Sequence, residues 1–243
     1  HLFFDANVDI LTPQNNKKLD QLANLLLIYP KITAELSCFE LPTGQKTFNL
    51  YFSIKKTEKA AEYLAGKGIP RSRLLLKGYG SSFPLVAKPV SNNISPLYQK
   101  LNQRLEIALH DYESEPVIID IEGIKVPENL QDPKGVKFST LSNQLFYSVQ
   151  IASISQILQN QAIESVEELF IEVENSSGNY LYMAGMIPTF KEAEKLMSSL
   201  IDLGFPDARI VPYINGIRIP QGSVADYAKK YPDLLFFLAG KKK

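Results

Sequence analysis

The sequence predicts an α+β protein built from two strand–helix units in series, a β-α-β-α-β-β unit followed by a β-α-β-β-α-β unit. Three observations carry this expectation. Segments alternating apolar and polar residues with a period of two are interspersed with segments whose apolar residues recur at helical spacing. A polar stretch with Pro116, Pro127 and Pro133 interrupts the pattern between residues 110 and 144. At 243 residues the chain is long for one small domain, since domains run about 100 to 150 residues. The expected division is therefore a first domain over 1–110, a connection over 111–144 and a second domain over 145–243, with two cores.

In the first unit, "LFFD" at residues 2–5 suits a short buried strand. Thr12 can cap a helix that begins with Pro13, where the missing N–H costs nothing. Leu19, Leu22, Leu25, Leu26 and Tyr29 then follow at helical spacing until Pro30. "KITAELSCF" places Ile32, Ala34, Leu36 and Cys38 on one side of a strand. Phe52, Ala60, Tyr63 and Leu64 predict a second helix stopped at Gly68. Strands are expected over Leu74–Tyr79 and Leu101–Leu109, with a polar loop rich in Ser, Asn and Pro between them. Within the connection, "VIIDIEGIKV" alternates as a strand or small hairpin would.

The second unit opens with the strand "QLFYSVQIASI", in which Gln150 and Ser153 fall on opposite faces. A helix is expected over Gln156–Glu167. Two strands then flank the turn Asn175-Ser176-Ser177-Gly178. Thr189 and Glu192 form a capping box for a helix with Ala193, Leu196, Met197 and Leu200 along one face, closed by Gly204. "ARIVPYI" supplies a further strand, and residues 223–230 form a short helix leading into the apolar "LLFFLAG".

Composition excludes several function classes. Twenty-six basic and 26 acidic residues cancel, so no general attraction to nucleic-acid phosphates is expected, and the one dense basic run, Lys241-Lys242-Lys243, reads as a solvated tail. No window reaches the roughly 18 to 20 apolar residues of a membrane span. Cys38 has no intrachain disulfide partner, and His1 and His110 are too few for a Cys/His metal cage, so neither metal nor cofactor is expected. Cys38 reads as a small buried hydrophobe. Asp5 and Asp9 form a loose carboxylate pair and Ser81-Ser82 sit beside glycines, but no serine lies in a nucleophile elbow. "GKGIP" and "GYGSS" lack phosphate-loop spacing, and no enzyme activity is expected. The start at His1, with no charged-then-apolar signal pattern, is expected of a mature or truncated piece.

The first half resembles the OmpA-like peptidoglycan-binding domain through "FFDANVDIL", "LDQLANLLLIYP", Gly44, Asn49, "EYLAGKGIPRSRL", "GYGSSFP" and "NQRLEI", in that order. The resemblance implies an OmpA-like β-α-β-α-β-β domain. It also implies a ligand clamp in which an aspartate and an arginine grip the charged diaminopimelate centre of a peptidoglycan stem peptide. Aligned on Gly68-Ile69, Asn49 and Ser53 match the motif's asparagine and serine, whereas the aspartate position holds Leu41 and the arginine position Lys56. Glu40 could replace the missing carboxylate after a one-residue shift. An extended chain, however, points neighbours to opposite sides, and Lys55, Lys56 and Lys59 are expected to form a solvated helix face. The candidate peptidoglycan-binding set is Glu40, Leu41, Asn49, Ser53, Lys56 and Arg104.

The second half resembles a SPOR domain of the Bacteroidetes envelope type through "YSVQIAS", "YLYMAGMIPTFKEAEKL" and "GFPDARIVPYINGIRI". This implies a SPOR-like β-α-β-β-α-β domain that binds denuded glycan strands on its sheet face. Gln150 and Ser153 match glycan-contacting positions, Asn179 and Leu181 replace the usual tryptophan and arginine, and Tyr180 or Tyr182 offers a substitute ring. Together the resemblances imply a periplasmic, outer-membrane-associated protein that tethers an assembly to peptidoglycan. The alternative is a structural adaptor that uses both folds for protein contacts in a Bacteroidetes secretion or gliding machine.

Overall fold

A computed structural model describes residues 1–4, 11–88, 95–119, 123–158 and 160–240. Asp5 and Asp9, Lys241 to Lys243 and the middle of "VIIDIEGIKV" lie outside them. Strand β1 (Leu2–Phe3) is followed by helix α1 (Pro13–Ile28), whose Thr12 Oγ1 accepts from Asn15 N at 3.2 Å. At the other end of α1, the Arg73 guanidinium donates to the carbonyls of Leu26, Tyr29 and Ile32 at 2.6–3.0 Å, satisfying the Leu26 acceptor that the helix end leaves free and tying it to the chain that enters the next strand. Strand β2 (Thr33–Phe39), helix α2 (Lys46–Gly66) and strand β3 (Leu74–Gly78) follow. Gly78 lets α2 lie directly on β3, because a Cβ there would sit 2.6 Å from Ser53 Oγ and 2.7 Å from Ile54 N.

The polar loop expected before the last strand of this half contains helix α3 (Pro96–Asn102), and the strand itself, β4, begins later, at Arg104, and runs to His110. Ser95 Oγ caps α3 by accepting from Tyr98 N, and Pro96 takes its first position. The connection is also more ordered than its prolines suggest. Asp132 caps helix α4 (Pro133–Leu141), which again starts with a proline. The described parts of "VIIDIEGIKV", 117–119 and 123–126, form no strand.

Strand β5 (Leu145–Ile154) opens the second half. The helix expected over Gln156–Glu167 reduces, among the described residues, to a 3-10 turn over Gln161–Ser165. Asn160 Oδ1 accepts from Ala162 N and fixes a turn, and Tyr182 OH accepts from Leu158 N, holding the preceding chain against the sheet. Strands β6 (Leu169–Val173) and β7 (Tyr180–Ile187), helix α5 (Phe190–Asp202), strands β8 (Arg209–Ile214) and β9 (Ile217–Arg218) and helices α6 (Val224–Tyr227) and α7 (Leu234–Gly240) complete the chain. Thr189 Oγ1 accepts from Glu192 N and donates to Glu192 Oε2, as the capping pair predicts.

Among the described residues nine strands form one sheet in the order β1-β4-β2-β3-β6-β7-β5-β8-β9, in which β2 and β3 pair in parallel and the other neighbours are antiparallel. The halves meet where β3 pairs with β6, Lys77 opposite Glu172 and Gly78 opposite Ile171. Where two separate cores were expected, the main hydrophobic cluster takes residues from both halves, from Leu19, Leu36 and Leu64 to Val149, Tyr182 and Leu200. It lies between the sheet and helices α1, α2 and α5. On the other face α4 inserts Phe138 among Phe39, Tyr79 and Phe83, with ring centroids 5.0–5.3 Å apart.

Candidate functional site

The chain leaves β2 at Phe39, and Glu40 N donates to Gly80 O at 2.7 Å, tying the exit of β2 to that of β3. Alternation sends the Cys38 and Glu40 side chains toward α2, with Cys38 Sγ 4.0 Å from Glu40 Oε1. Leu41 turns away and packs with Val86, Tyr98 and Leu101. On α2, Asn49, Ser53, Lys56 and Ala60 share the buried stripe, and Lys56 is 0% exposed. The solvated lysine face expected from the sequence is thus corrected at Lys56, because the inward stripe of α2 runs through it.

Lys56 Nζ lies 2.6 Å from Glu40 Oε1. The contact is a close ion pair that is not aligned as a hydrogen bond, and Nζ has no hydrogen-bond partner. The ammonium also sits 5.1 Å from the centre of the Phe4 ring. Gln103 Nε2 donates to Glu40 Oε2 at 3.3 Å. The structure therefore brings together Glu40, Lys56 and Gln103. Burial, with Glu40 adding its negative charge, pushes the Cys38 thiol well above the usual range, so it stays protonated beside the pair.

Asn49 and Ser53 hold the surrounding loops. Asn49 Nδ2 donates to Thr43 O and Leu41 O at 3.0 and 3.2 Å, and its Oδ1 accepts from Ser81 Oγ. Ser53 Oγ accepts from Gly80 N and donates to Leu50 O. Arg104 belongs to the opposite face of the sheet, its guanidinium 3.7 Å from the centre of the Phe39 ring and its Nε donating to Glu106 Oε1 at 2.6 Å. Burial lowers its pKa, and Glu106 acts against that shift.

The four candidate glycan residues divide across the sheet. A bulge in β5 between Gln150 and Ala152 puts Gln150 opposite Met183 and Ser153 opposite Leu181, so both occupy one face, where simple alternation predicted two. Gln150 Oε1 accepts from Arg209 and Arg218, and Ser153 Oγ accepts from Asn179 Nδ2. Tyr180 and Tyr182 are buried on the α2 side. The Tyr180 hydroxyl accepts from Lys55 Nζ and donates to Glu58 Oε1, and that of Tyr182 is held by Leu158 N.

Sequence reasoning missed a polar network across the junction of the halves. Lys77 Nζ pairs with Glu35 Oε2 at 2.8 Å and lies 3.7 Å from Glu172 Oε1, while Glu172 Oε2 receives Tyr213 OH and Arg218 Nη2. His110 Nε2 lies 3.5 Å from Glu35. Burial alone would raise the Glu35 pKa, but the Lys77 charge and the His110 and Lys77 contacts outweigh it and hold the carboxyl at about 2. The signal was a charged residue inside each of three strands, Glu35 in "TAELS", Lys77 in "LLLKG" and Glu172 in "LFIEV", the last two otherwise apolar. Beside this network a cleft of about 730 Å³ is lined by Glu35, His110, Arg218 and Tyr227 among others. Among the described residues no three His, Cys, Asp or Glu side chains are grouped to hold a metal, and no helix is long and apolar enough to cross a membrane.

The fold and site define an α+β protein with one mixed nine-stranded sheet and a buried carboxylate–ammonium pair at the exits of two central strands. No protein-family model matches the chain. Outer membrane porin F of Pseudomonas fluorescens is 24% identical over 106 residues, 44% of this chain, which spans 31% of that protein's length. The peptidoglycan-associated lipoprotein from Burkholderia pseudomallei is similar in structure with a TM-score of 0.38 and 19% identity, over 44% of this chain and 87% of that one. The C-terminal domain of Helicobacter pylori MotB gives 0.37 and 19%, over 44% and 80%. These likenesses extend over less than half of the chain.

Proposed function

We propose that the protein is a non-catalytic, periplasmic cell-envelope component that contacts peptidoglycan through a clamp made of Glu40 and Lys56, tethering the assembly it belongs to. The observation that carries the reading is the 2.6 Å pair itself. Lys56 holds the position where the OmpA-like resemblance expects a cation, and Glu40, one residue before the aspartate position held by Leu41, supplies the carboxylate. A zwitterionic amino-acid centre presents the complementary charges, so it can exchange each half of the internal pair for an equivalent contact, with the desolvation of both groups already met by the fold. Lysine gives a point charge where a guanidinium would give a fork, so the grip is weaker and less directional.

The test is co-sedimentation with purified sacculi. Wild-type protein is expected in the pellet, with Lys56→Ala and Glu40→Gln depleted from it and both variants shown folded by circular dichroism. Wild-type protein left wholly in the supernatant would refute the reading.

A second reading, an adaptor that uses the same folds for protein partners, is favoured by the burial of Tyr180 and Tyr182, which removes both rings from the face that carries Gln150. Denuded glycan strands separate the two readings for the second half, since an adaptor leaves them unbound.

A further inference from the structure

We propose that the groove beside the Glu40–Lys56 pair, bordered by Lys18 and Lys100, is an anion subsite that takes a free carboxylate of an acidic peptide. The inference rests on the peptidoglycan-contact reading and adds which chemical group of the polymer is held next to the clamp.

The groove has a volume of about 380 Å³, and Phe3, Phe4, Asn15, Lys18, Lys100 and Gln103 are among its lining residues. Its only ionisable lining groups among the described residues are two ammonium groups, and four side-chain amides add neutral donors. A groove with that inventory attracts an anion and offers a cation no counter-charge. The larger cleft at the junction differs, because its lining carries both signs, with Glu35, Glu106, Asp111 and Glu113 beside Arg218 and Lys230.

Both lysines are positioned in advance. Lys18 Nζ donates to His1 O at 2.7 Å, and Lys100 Nζ lies 5.0 Å from the centre of the Phe3 ring. Each ammonium keeps donors for a ligand, and the ordering of its long side chain is partly met before binding. Asn15 and Gln103 form the buried part of the wall, at 4% and 3% exposure. Gln103 makes the connection to the clamp, since it lines the groove and donates to Glu40. Phe4 does the same from the other side, lining the groove while its ring lies under the Lys56 ammonium. A peptide whose charged centre meets Glu40 and Lys56 can therefore lay a neighbouring carboxylate between Lys18 and Lys100, as charge-assisted contacts.

The experiment titrates the full chain with a soluble muropeptide carrying free carboxylates and with the same peptide fully amidated. It compares wild type with Lys18→Gln, Lys100→Gln, the double variant, and Lys59→Gln as a control on the exposed side of α2. The double variant is expected to bind the free-acid peptide about tenfold more weakly, with Lys59→Gln unchanged and the amidated peptide indifferent to both groove lysines. Equal binding by wild type and double variant overturns the subsite, as does an indifference to amidation combined with displacement by inorganic phosphate, which would make the groove a phosphate site. Sacculus binding that is lost in Lys56→Ala but unchanged in the double variant overturns the groove alone. Lysine-dependent muropeptide binding that survives in Lys56→Ala and Glu40→Gln keeps the groove and overturns the clamp.

Discussion

Replacing Lys56 by methionine is the most informative single perturbation of this fold. The substitution keeps an unbranched side chain of similar length in the α2 stripe, so packing over Phe4 is largely retained and the change is one of charge. Wild-type Glu40 has the Lys56 ammonium at 2.6 Å and the Gln103 amide at 3.3 Å, and both Glu40 and Lys56 are almost completely buried. Removing the cation leaves an ionised carboxylate in the interior with one neutral donor and a thiol. Breaking a buried pair from one side costs about 3–5 kcal/mol, a large share of the roughly 5–15 kcal/mol that holds a domain folded. Removing both charges together, in Glu40→Leu/Lys56→Met, leaves no orphan and is expected to cost about 1 kcal/mol or less, so the cycle should show a coupling of about 2 kcal/mol or more. Urea denaturation of the four proteins, followed by circular dichroism at one pH, measures it. A loss below about 1 kcal/mol in Lys56→Met, or a double variant as unstable as the single, would refute the view that these two buried charges compensate one another.

Two further outcomes follow from the same physics. Glu35 is held at about 2 in the folded protein against an ordinary value of 4.5, so its contribution to stability is complete above pH 4.5 and is lost as the pH falls toward 2; urea midpoints across that interval should decline, and Glu35→Gln should flatten the part of the slope that this group contributes. Gly78→Ala drives a methyl group to within 2.7 Å of the α2 backbone at Ile54, so α2 must lift from β3 at a cost of about 1–3 kcal/mol, and an unchanged melting temperature would contradict the close approach.

Much of this arrangement was legible in the sequence where local chemistry decides the structure. Thr12-Pro13 and Thr189 with Glu192 announce helices that form where expected, and the alternation of Ile32 to Cys38 marks a real strand. What escaped were short helices that depend on their surroundings: α3 and α4 have seven and nine residues, too few for a clear periodicity, and each is held by a cap and by the rings it buries. The segment 156–167 failed in the opposite sense. Its composition suits a helix, but Asn160 and the hydroxyl of Tyr182 give its backbone other partners. At the candidate site, the alternation argument separated Glu40 from Leu41 but counted against Glu40, whereas it is Glu40 that faces α2 and Leu41 that turns away. What single-strand reasoning could not supply was that α2 presents Lys56 to Glu40. Its place in the stripe Asn49, Ser53, Lys56, Ala60 was the available clue, three residues from one inward position and four from the next.

The joint between β3 and β6 also bears on how the chain can be dissected. Each of these strands is the outermost of its own half, and cutting the protein between residues 110 and 145 would leave both with a row of unmatched backbone donors and acceptors facing water. Such rims recruit other strands, including copies of themselves. The same cut strips away Glu164, whose carboxylate accepts from Lys46 N and Thr47 N at the start of α2. Excised halves should accordingly self-associate, whereas the uncut chain hides each sticky rim inside the other.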